Sequence, residues 1–413
     1  MKKEGSNKDK SQGTEDNTKY VLLQNDYMIS YNNDKCFINE VPYVKEEGDI
    51  SSPQKIAEEL KRRIYTDFLR KTYKNIVVLT AAGTSLDNGS NKGKTRDGLW
   101  GYCCNDIKAI LKLLLPWNLI LKKVLKDKDI EGFLSYVILY EKLNGELKND
   151  KGEFLKQKLE HKIAEACDLT LDLPAAPHKD FLDKITSRKS NEPRVQLFTT
   201  NYDTLFEQAA NEGGFVVIDG FSFTQPRMFA GKWFDLDIVN REKTRLKQEE
   251  SFISKVLHLY KLHGSLNWTK VEVGEATKIQ QQDSRENPVI IYPASEKYES
   301  SYEQPYFEMM SRFQQALRKE NTLLIVIGFG FQDKHIKNVI IEAVEQNSNF
   351  QLLIVNYNGS EGISPYNMDS FFIDVKKMKV KRKVNIIFDT FKDFSAKFPE
   401  NRSYLNHSED ERI

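Results

Sequence analysis

Apolar residues along this chain follow two alternating patterns. Short, nearly unbroken runs stop at glycine, proline or small polar residues, over 76–79, 194–199, 216–218, 288–293, 322–327, 351–356 and 384–388. Such runs predict strands buried on both faces. Between them, apolar residues recur every three or four positions, which predicts amphipathic helices over 204–212, 304–317 and 334–345. Upstream, Ser52-Pro53 reads as a helix cap followed by proline at the first helical position. Ile56, Leu60, Ile64 and Phe68 then form one stripe, leaving Arg62, Arg63, Arg70 and Lys71 on the wet face. The pieces YVLLQ and CFINEVPYV, separated by YNNDK, predict a hairpin. Strands alternating with such helices predict an α/β fold, a Rossmann-like, mostly parallel sheet with helices on both faces.

One long stretch breaks the alternation. Over 106–188 the periodicity is helical: Ile107, Ile110, Leu111 and Leu114 share a face before Pro116, and Leu155, Leu159 and Ile163 recur every four residues. The run 133–140 fits a buried helix, although YVILY alone also suits a strand. The expected organisation is a disordered leader (1–19), a hairpin and helix (20–72), a sheet domain in two pieces (73–105 and 189–395), an α-helical insert (106–188) and a mobile tail (396–413).

Composition narrows the function. Among 413 residues, 61 Lys and Arg stand against 60 Asp and Glu, so the chain is no globally basic nucleic-acid binder. Its 24 Phe and 18 Tyr argue for folded structure over most of the length. The first residues lack the apolar core of a signal peptide, and no run approaches the roughly 20 apolar residues that span a bilayer. Cys36, Cys103, Cys104 and Cys167 show no paired metal spacing. With no export signal, they read as free thiols in a reducing cytoplasm.

In an open parallel sheet the chemistry sits beyond the carboxyl ends of the strands. Those ends carry AAGTS (81–85), TTNYD (199–203), KLHGS (261–265), GFGFQD (328–333) and VNYN (355–358). Two glycine turns beside Asn201, Asp203 and His263 suit a nucleotide site. No GxxxxGK[ST] sequence is present, which disfavours phosphoryl transfer from ATP.

Together these motifs resemble the SIR2 (sirtuin) superfamily, in the family's order, over roughly 76–100 and 194–356. The family's GAGxS turn corresponds to Ala81-Ala82-Gly83-Thr84-Ser85, with Ala81 replacing the first glycine. Its TQNxD corresponds to Thr199-Thr200-Asn201-Tyr202-Asp203, with Thr200 in place of glutamine, and its His-Gly pair to His263-Gly264. Gly328-Phe329-Gly330 and Asn356 match the later glycine turn and the adenosine-side asparagine, and Arg96 is nearest to the proline-aspartate-phenylalanine-arginine stretch of deacylases. The resemblance implies Asn201, His263 and Asp203 as catalytic residues. It implies cofactor binding by Ala81, Ala82, Gly83, Thr84, Ser85, Arg96, Thr200, Gly328, Phe329, Gly330 and Asn356. Deacylases carry four zinc-binding cysteines after the catalytic histidine, whereas this chain has none after Cys167.

The chain therefore looks most like the bacterial anti-phage branch, which implies hydrolysis of NAD, as substrate, to nicotinamide and ADP-ribose without zinc. Within that branch it most resembles the subunit encoded beside a HerA-type ATPase. That implies a homo-oligomer assembled with a hexameric ATPase, an indirect association with DNA, and no membrane. A sirtuin-type deacylase or ADP-ribosyltransferase, and a non-catalytic NAD- or ADP-ribose-binding assembly subunit, are the alternatives. Plainer roles stand beside these: Asn201 and Asp203 serving the start of the next helix, His258 structural, Asp333 and His335 at a helix cap, and Trp100 and Trp268 in packing. The basic run 376–383 reads as a solvated edge strand or a contact for an acidic partner.

Overall fold

A computed structural model describes residues 18–24, 27–45, 48, 50–114, 119–189, 192–240, 252–274, 276–282, 288–290, 304–356 and 382–399. Its centre is an 11-stranded sheet. In chain order the strands are β1 (Lys19–Leu23), β2 (Met28–Tyr31), β3 (Cys36–Ile38), β4 (Val41–Pro42), β5 (Asn75–Thr80), β6 (Gln196–Thr199), β7 (Val216–Ile218), β8 (Val256–Lys261), β9 (Thr322–Ile327), β10 (Phe350–Asn356) and β11 (Val384–Phe388). They lie in the order β4-β3-β2-β1-β11-β10-β9-β5-β6-β8-β7. From β11 to β7 every neighbouring pair is parallel. The expected N-terminal hairpin is larger than its sequence suggests. It is an antiparallel meander, β1 to β4, and β1 bonds to β11 as part of the main sheet.

Twelve helices are described: α1 (Pro53–Leu69), α2 (Ala82–Ser85), α3 (Arg96–Tyr102), α4 (Cys104–Leu111), α5 (Leu119–Lys126), α6 (Ile130–Asn144), α7 (Leu155–Cys167), α8 (His178–Ile185), α9 (Leu205–Glu212), α10 (Tyr306–Arg318), α11 (Lys334–Gln346) and α12 (Phe391–Lys397). Alternation along the strands assigns them to faces. Leu323, Ile325 and Ile327 face a core shared with α1, α8, α9 and α12. Leu324 and Val326 face the opposite core, shared with α10 and α11. Helices α4 to α7 bury Ile107, Ile110, Leu121, Phe133, Val137, Leu159 and Ile163 in a core of their own. Helix α8, although inside the stretch read as one insert, packs Phe181, Leu182 and Ile185 onto the main core. YVILY lies within α6, where Val137 faces the insert core. Trp268 begins a strand, Trp268–Val273, of a separate three-stranded sheet with Ala276–Gln281 and Arg227–Met228, which periodicity did not predict. The residues 376–381 of the basic run lie outside the described residues. Among the described residues, no helix is long and apolar enough to cross a membrane.

Two buried histidines make the fold acid-sensitive. His178 is wedged edge-on against Phe206 and Phe391, with ring centroids 5.0 and 5.1 Å apart. Both its ring nitrogens are buried without a partner among the described residues. Burial lowers its pKa to about 3. Burial likewise lowers that of His258, on β8, to about 4, against the opposing charge of Asp237. An unfolded histidine titrates near pH 6.5, so below that pH the unfolded chain binds protons that the folded chain refuses. Stability is therefore complete above about pH 6.5 and falls toward pH 4, by about 1.4 kcal/mol per pH unit for each histidine. Urea unfolding at pH 7, 6 and 5 should show this slope, and His178→Leu should remove about half of it. An unchanged slope in that variant would exclude His178 as a source.

Candidate functional site

Register brings the strand ends level. Val355 pairs with Ile327, Ile327 with Thr80, Thr80 with Thr199, and Thr199 with Lys261. The end of β10 and the turns after β9, β5, β6 and β8 therefore lie side by side on one edge of the sheet. Chain order reverses between β5 and β9: from β5 the chain proceeds to β6 on one side, and later returns to β9 on the other. Such a reversal is where an open α/β sheet forms its crevice.

The turn after β5 meets the turn after β9 backbone to backbone. The Gly83 amide donates to the Gly328 carbonyl at 3.2 Å. A Cβ on Gly83 would stand 2.4 Å from the Gly328 Cα, and Gly328 itself sits at φ +66°. These glycines thus serve each other's approach, where a ligand had been expected to need Gly328. Gly330 differs: it is exposed, and a Cβ there would make only ordinary contact with Gln332 Cγ at 3.9 Å.

Asn201 ties the turns after β5 and β6 together. Its amide nitrogen lies 2.9 Å from Ser85 Oγ and 3.1 Å from both Thr84 Oγ1 and the Ala81 carbonyl. Ser85 Oγ in turn donates to Asp203 Oδ2 at 2.6 Å, and Asp203 Oδ1 accepts from the Leu205 amide at the start of α9. Asp203 thus serves the next helix as the plainer reading expected, while Asn201 reaches back to α2. The hydroxyls of Thr84 and Ser85, residues that the resemblance implies bind the cofactor, are buried and engaged inside this network. The Thr84 and Gly83 amides are likewise used within the turns, and Ala82 is the exposed residue of the five. The Asn201 amide oxygen has no partner among the described residues.

His263 follows β8 and is buried to 8% exposure. Its Nε2 lies 3.0 Å from Asp333 Oδ2, from the turn after β9. Asp333 also caps α11, its Oδ1 accepting from the His335 and Ile336 amides at 2.8 and 3.2 Å. Burial would raise the Asp333 carboxyl, but the hydrogen bond and charge of His263, with the two amides, hold it below the usual carboxylate range. Two residues before His263, Lys261 is buried against the Tyr202 and Asp203 carbonyls and Glu207, whose carboxyl is pushed up by burial against the pull of that lysine.

The insert reaches the same place. Glu131, in the first turn of α6, accepts from the Tyr202 hydroxyl at 3.2 Å. Packing around its carboxyl pushes it above the usual range; His263 and Tyr202 oppose this, while Asp129 and Asp333 add to it. Arg96 stands exposed at the start of α3, 3.8 Å from Asp129. Tyr202 and Leu266 pack on Ala164 of α7, fixing the insert against the site. Thr200 donates its amide to the Thr80 carbonyl, Phe329 lies tilted against Phe331 with ring centroids 4.9 Å apart, and Asn356 ends β10 on the same edge. Trp100 packs edge-on against Phe133 of the insert, and Trp268 lies tilted against Phe221.

Glu131 and the second role of Asp333 escaped the sequence reading. Asp333 was legible as a cap because it precedes a helical stripe, but nothing in the spacing joins it to a histidine 70 positions earlier. Glu131 carried no signal at all, since its partners come from two distant strand ends.

No curated protein matches the chain. Among solved structures, that of a Sir2 mutant with a p53 peptide and NAD is 12% identical, with a TM-score of 0.34, over 84% of this chain and 99% of that one. Residues 195–371, which carry Asn201, Asp203, His263, Asp333 and Asn356, match the family of the SIR2-like domain.

Proposed function

We propose that this protein hydrolyses NAD to nicotinamide and ADP-ribose. The observation that carries the reading is that Asn201, tied to the turn after β5, and the buried His263–Asp333 pair lie on one edge of the sheet, within the stretch that matches the SIR2-like domain. NAD is the substrate in this reading. The exposed Gly330 and Ala82 and the unpartnered Asn201 amide oxygen are features that suit such a ligand, while the hydroxyls of Thr84 and Ser85 shape the turn.

Cleavage breaks the bond between the ribose C1′ and the nicotinamide nitrogen, and the bonding electrons go to the pyridinium ring, which leaves neutral. The departing group needs no proton, so the enzyme's work falls on the oxocarbenium-like centre and on water. Asn201 orients the water or a ribose hydroxyl through its amide oxygen. His263 accepts the proton that the attacking water gives up as the new C–O bond forms. Asp203 holds Ser85 and thereby the turn carrying Asn201's anchors. The absence of any cysteine after Cys167 supports a route that needs no deacylase zinc module. In the same reading the protein acts as an anti-phage effector that depletes NAD, works in the cytoplasm, and assembles with copies of itself and a HerA-type ATPase.

The test is nicotinamide release from NAD by the full chain, alone and with that ATPase. Wild type should release nicotinamide without any acylated peptide, and Asn201→Ala should lose at least about 100-fold. Release that requires an acetyl-lysine peptide would favour the deacylase. NAD bound without turnover in the assembled complex would favour the binding subunit.

A further inference from the structure

His263 has a partner that sequence motifs did not assign, and its geometry restricts which ring nitrogen can do chemistry. Asp333 Oδ1 is committed to two backbone amides at the start of α11, an arrangement that favours the ionised carboxylate. Its other oxygen, Oδ2, lies 3.0 Å from His263 Nε2, and both side chains are about nine-tenths buried. An ionised carboxylate only accepts hydrogen bonds, so Nε2 must carry the proton. His263 Nδ1 has no partner among the described residues and, in the neutral ring, is the nitrogen with a lone pair.

We propose that Asp333 is a positioning residue, which holds His263 in the Nε2–H tautomer so that Nδ1 faces the reaction as its proton acceptor. The cap fixes the carboxylate, the carboxylate fixes the imidazole, and one residue joins the fold of α11 to the chemistry of the β8 turn. When Nδ1 takes a proton from water, the ring becomes a cation 3.0 Å from a carboxylate already in place, with no reorganisation at that moment. Glu131, from the insert, is the further acid that feels the charge of His263, and burial pushes its own carboxyl up. This inference rests on the reading of His263 as the proton acceptor in NAD hydrolysis.

Asparagine at position 333 separates positioning from capping. Asparagine caps helices about as well as aspartate, so Asp333→Asn keeps its Oδ1 on the two amides and α11 intact. Its NH2 group then replaces Oδ2 opposite His263 and, being a donor, favours the opposite tautomer, Nδ1–H. Positioning predicts that kcat falls at least about tenfold in Asp333→Asn, while KM for NAD and the thermal midpoint stay near wild type. It also predicts that the acid limb of the kcat profile changes with Glu131 left in place. A role in capping alone predicts a wild-type kcat for Asp333→Asn and losses only in Asp333→Ala. Nitrogen-15 NMR of histidine-labelled protein reads the tautomer directly; the chain has six histidines, and His263→Gln assigns the signal. Nε2–H in wild type and Nδ1–H in Asp333→Asn support the proposal. Nδ1–H in wild type, or an unchanged kcat in Asp333→Asn, overturns it. If wild type releases no nicotinamide under any condition, the NAD reading fails by itself, and the NMR result still decides whether Asp333 sets the ring.

Discussion

Alanine in place of His263 should lower nicotinamide release about 100- to 10,000-fold, the range that a positioned proton acceptor contributes. The loss should fall on kcat. His263 lies at the carboxyl edge of the sheet, buried to 8% exposure and held by Asp333, so its removal does little to the exposed surface beside Gly330. KM for NAD should accordingly change by no more than a few-fold. The substitution also leaves the Asp333 carboxylate without the hydrogen bond and charge that help hold it below the usual range. A carboxyl whose folded pKa is depressed contributes stability that is present above its unfolded pKa near 3.9 and is lost as the pH falls through the folded value. His263→Ala should therefore be less stable than wild type at pH 7, and the gap should close as the pH drops below about 4. Single-turnover rates and urea unfolding read the two effects separately. Full activity in a folded His263→Ala would remove the histidine from the chemistry, whatever its distance to Asp333.

What was legible in the chain follows the range of the signal. The run 322–327 appears as β9 with identical bounds, and 384–388 as β11, because strands buried on both faces read as near-continuous apolar runs. Helix α1 begins where Ser52-Pro53 said it would, with Ser52 Oγ accepting from the Lys55 amide. The same helix shows the limit. Ile64, predicted on the buried stripe, is only half-buried, while Lys61 and Tyr65 are fully covered. A buried lysine looks like a solvated one in sequence, since its partner, Asp389, lies 328 positions away. The meander β1 to β4 was readable as strands but not as the sheet's edge, because pairing with β11 spans nearly the whole chain. At the site, motifs marked Asn201, Asp203 and His263 but not the direction in which their side chains point. Only the assembled turns show Thr84 and Ser85 spent on the network, and Glu131 brought in by a helix of the insert.

Lys61→Ala should cost about 3–5 kcal/mol of stability, as expected when one partner of a buried ion pair is removed. Lys61 has no exposed side-chain surface, and its ammonium reaches Asp389 Oδ1 at 2.9 Å, the Phe388 carbonyl at 3.1 Å and Glu58 at 2.7 Å. It joins α1 to the carboxyl end of β11, and so clamps the N-terminal helix onto the sheet. Asp389 is itself buried, and its Oδ2 already lacks a partner among the described residues. Lys397 stands 3.2 Å from Asp389 Oδ1, but its side chain is 28% exposed and partly committed to Glu58, so it compensates only in part. Burial works against its charge, yet Asp389 and Glu58 together raise its pKa. Without Lys61 the Asp389 carboxylate stays in a dry site with one partly exposed counter-charge. The cost arises from the stranded charge more than from the lost attraction, which gives the prediction its second half. In Lys61→Met with Asp389→Asn no charge is stranded, so most of the loss should be recovered, since a buried pair exchanged for neutral groups of similar size is often near neutral. Denaturant unfolding of Lys61→Met, Asp389→Asn and the double variant closes the cycle. A loss below about 1 kcal/mol in Lys61→Ala would place the pair in the solvent-screened class, and α1 would then be held by Ile56, Leu60, Tyr65 and Phe68 alone.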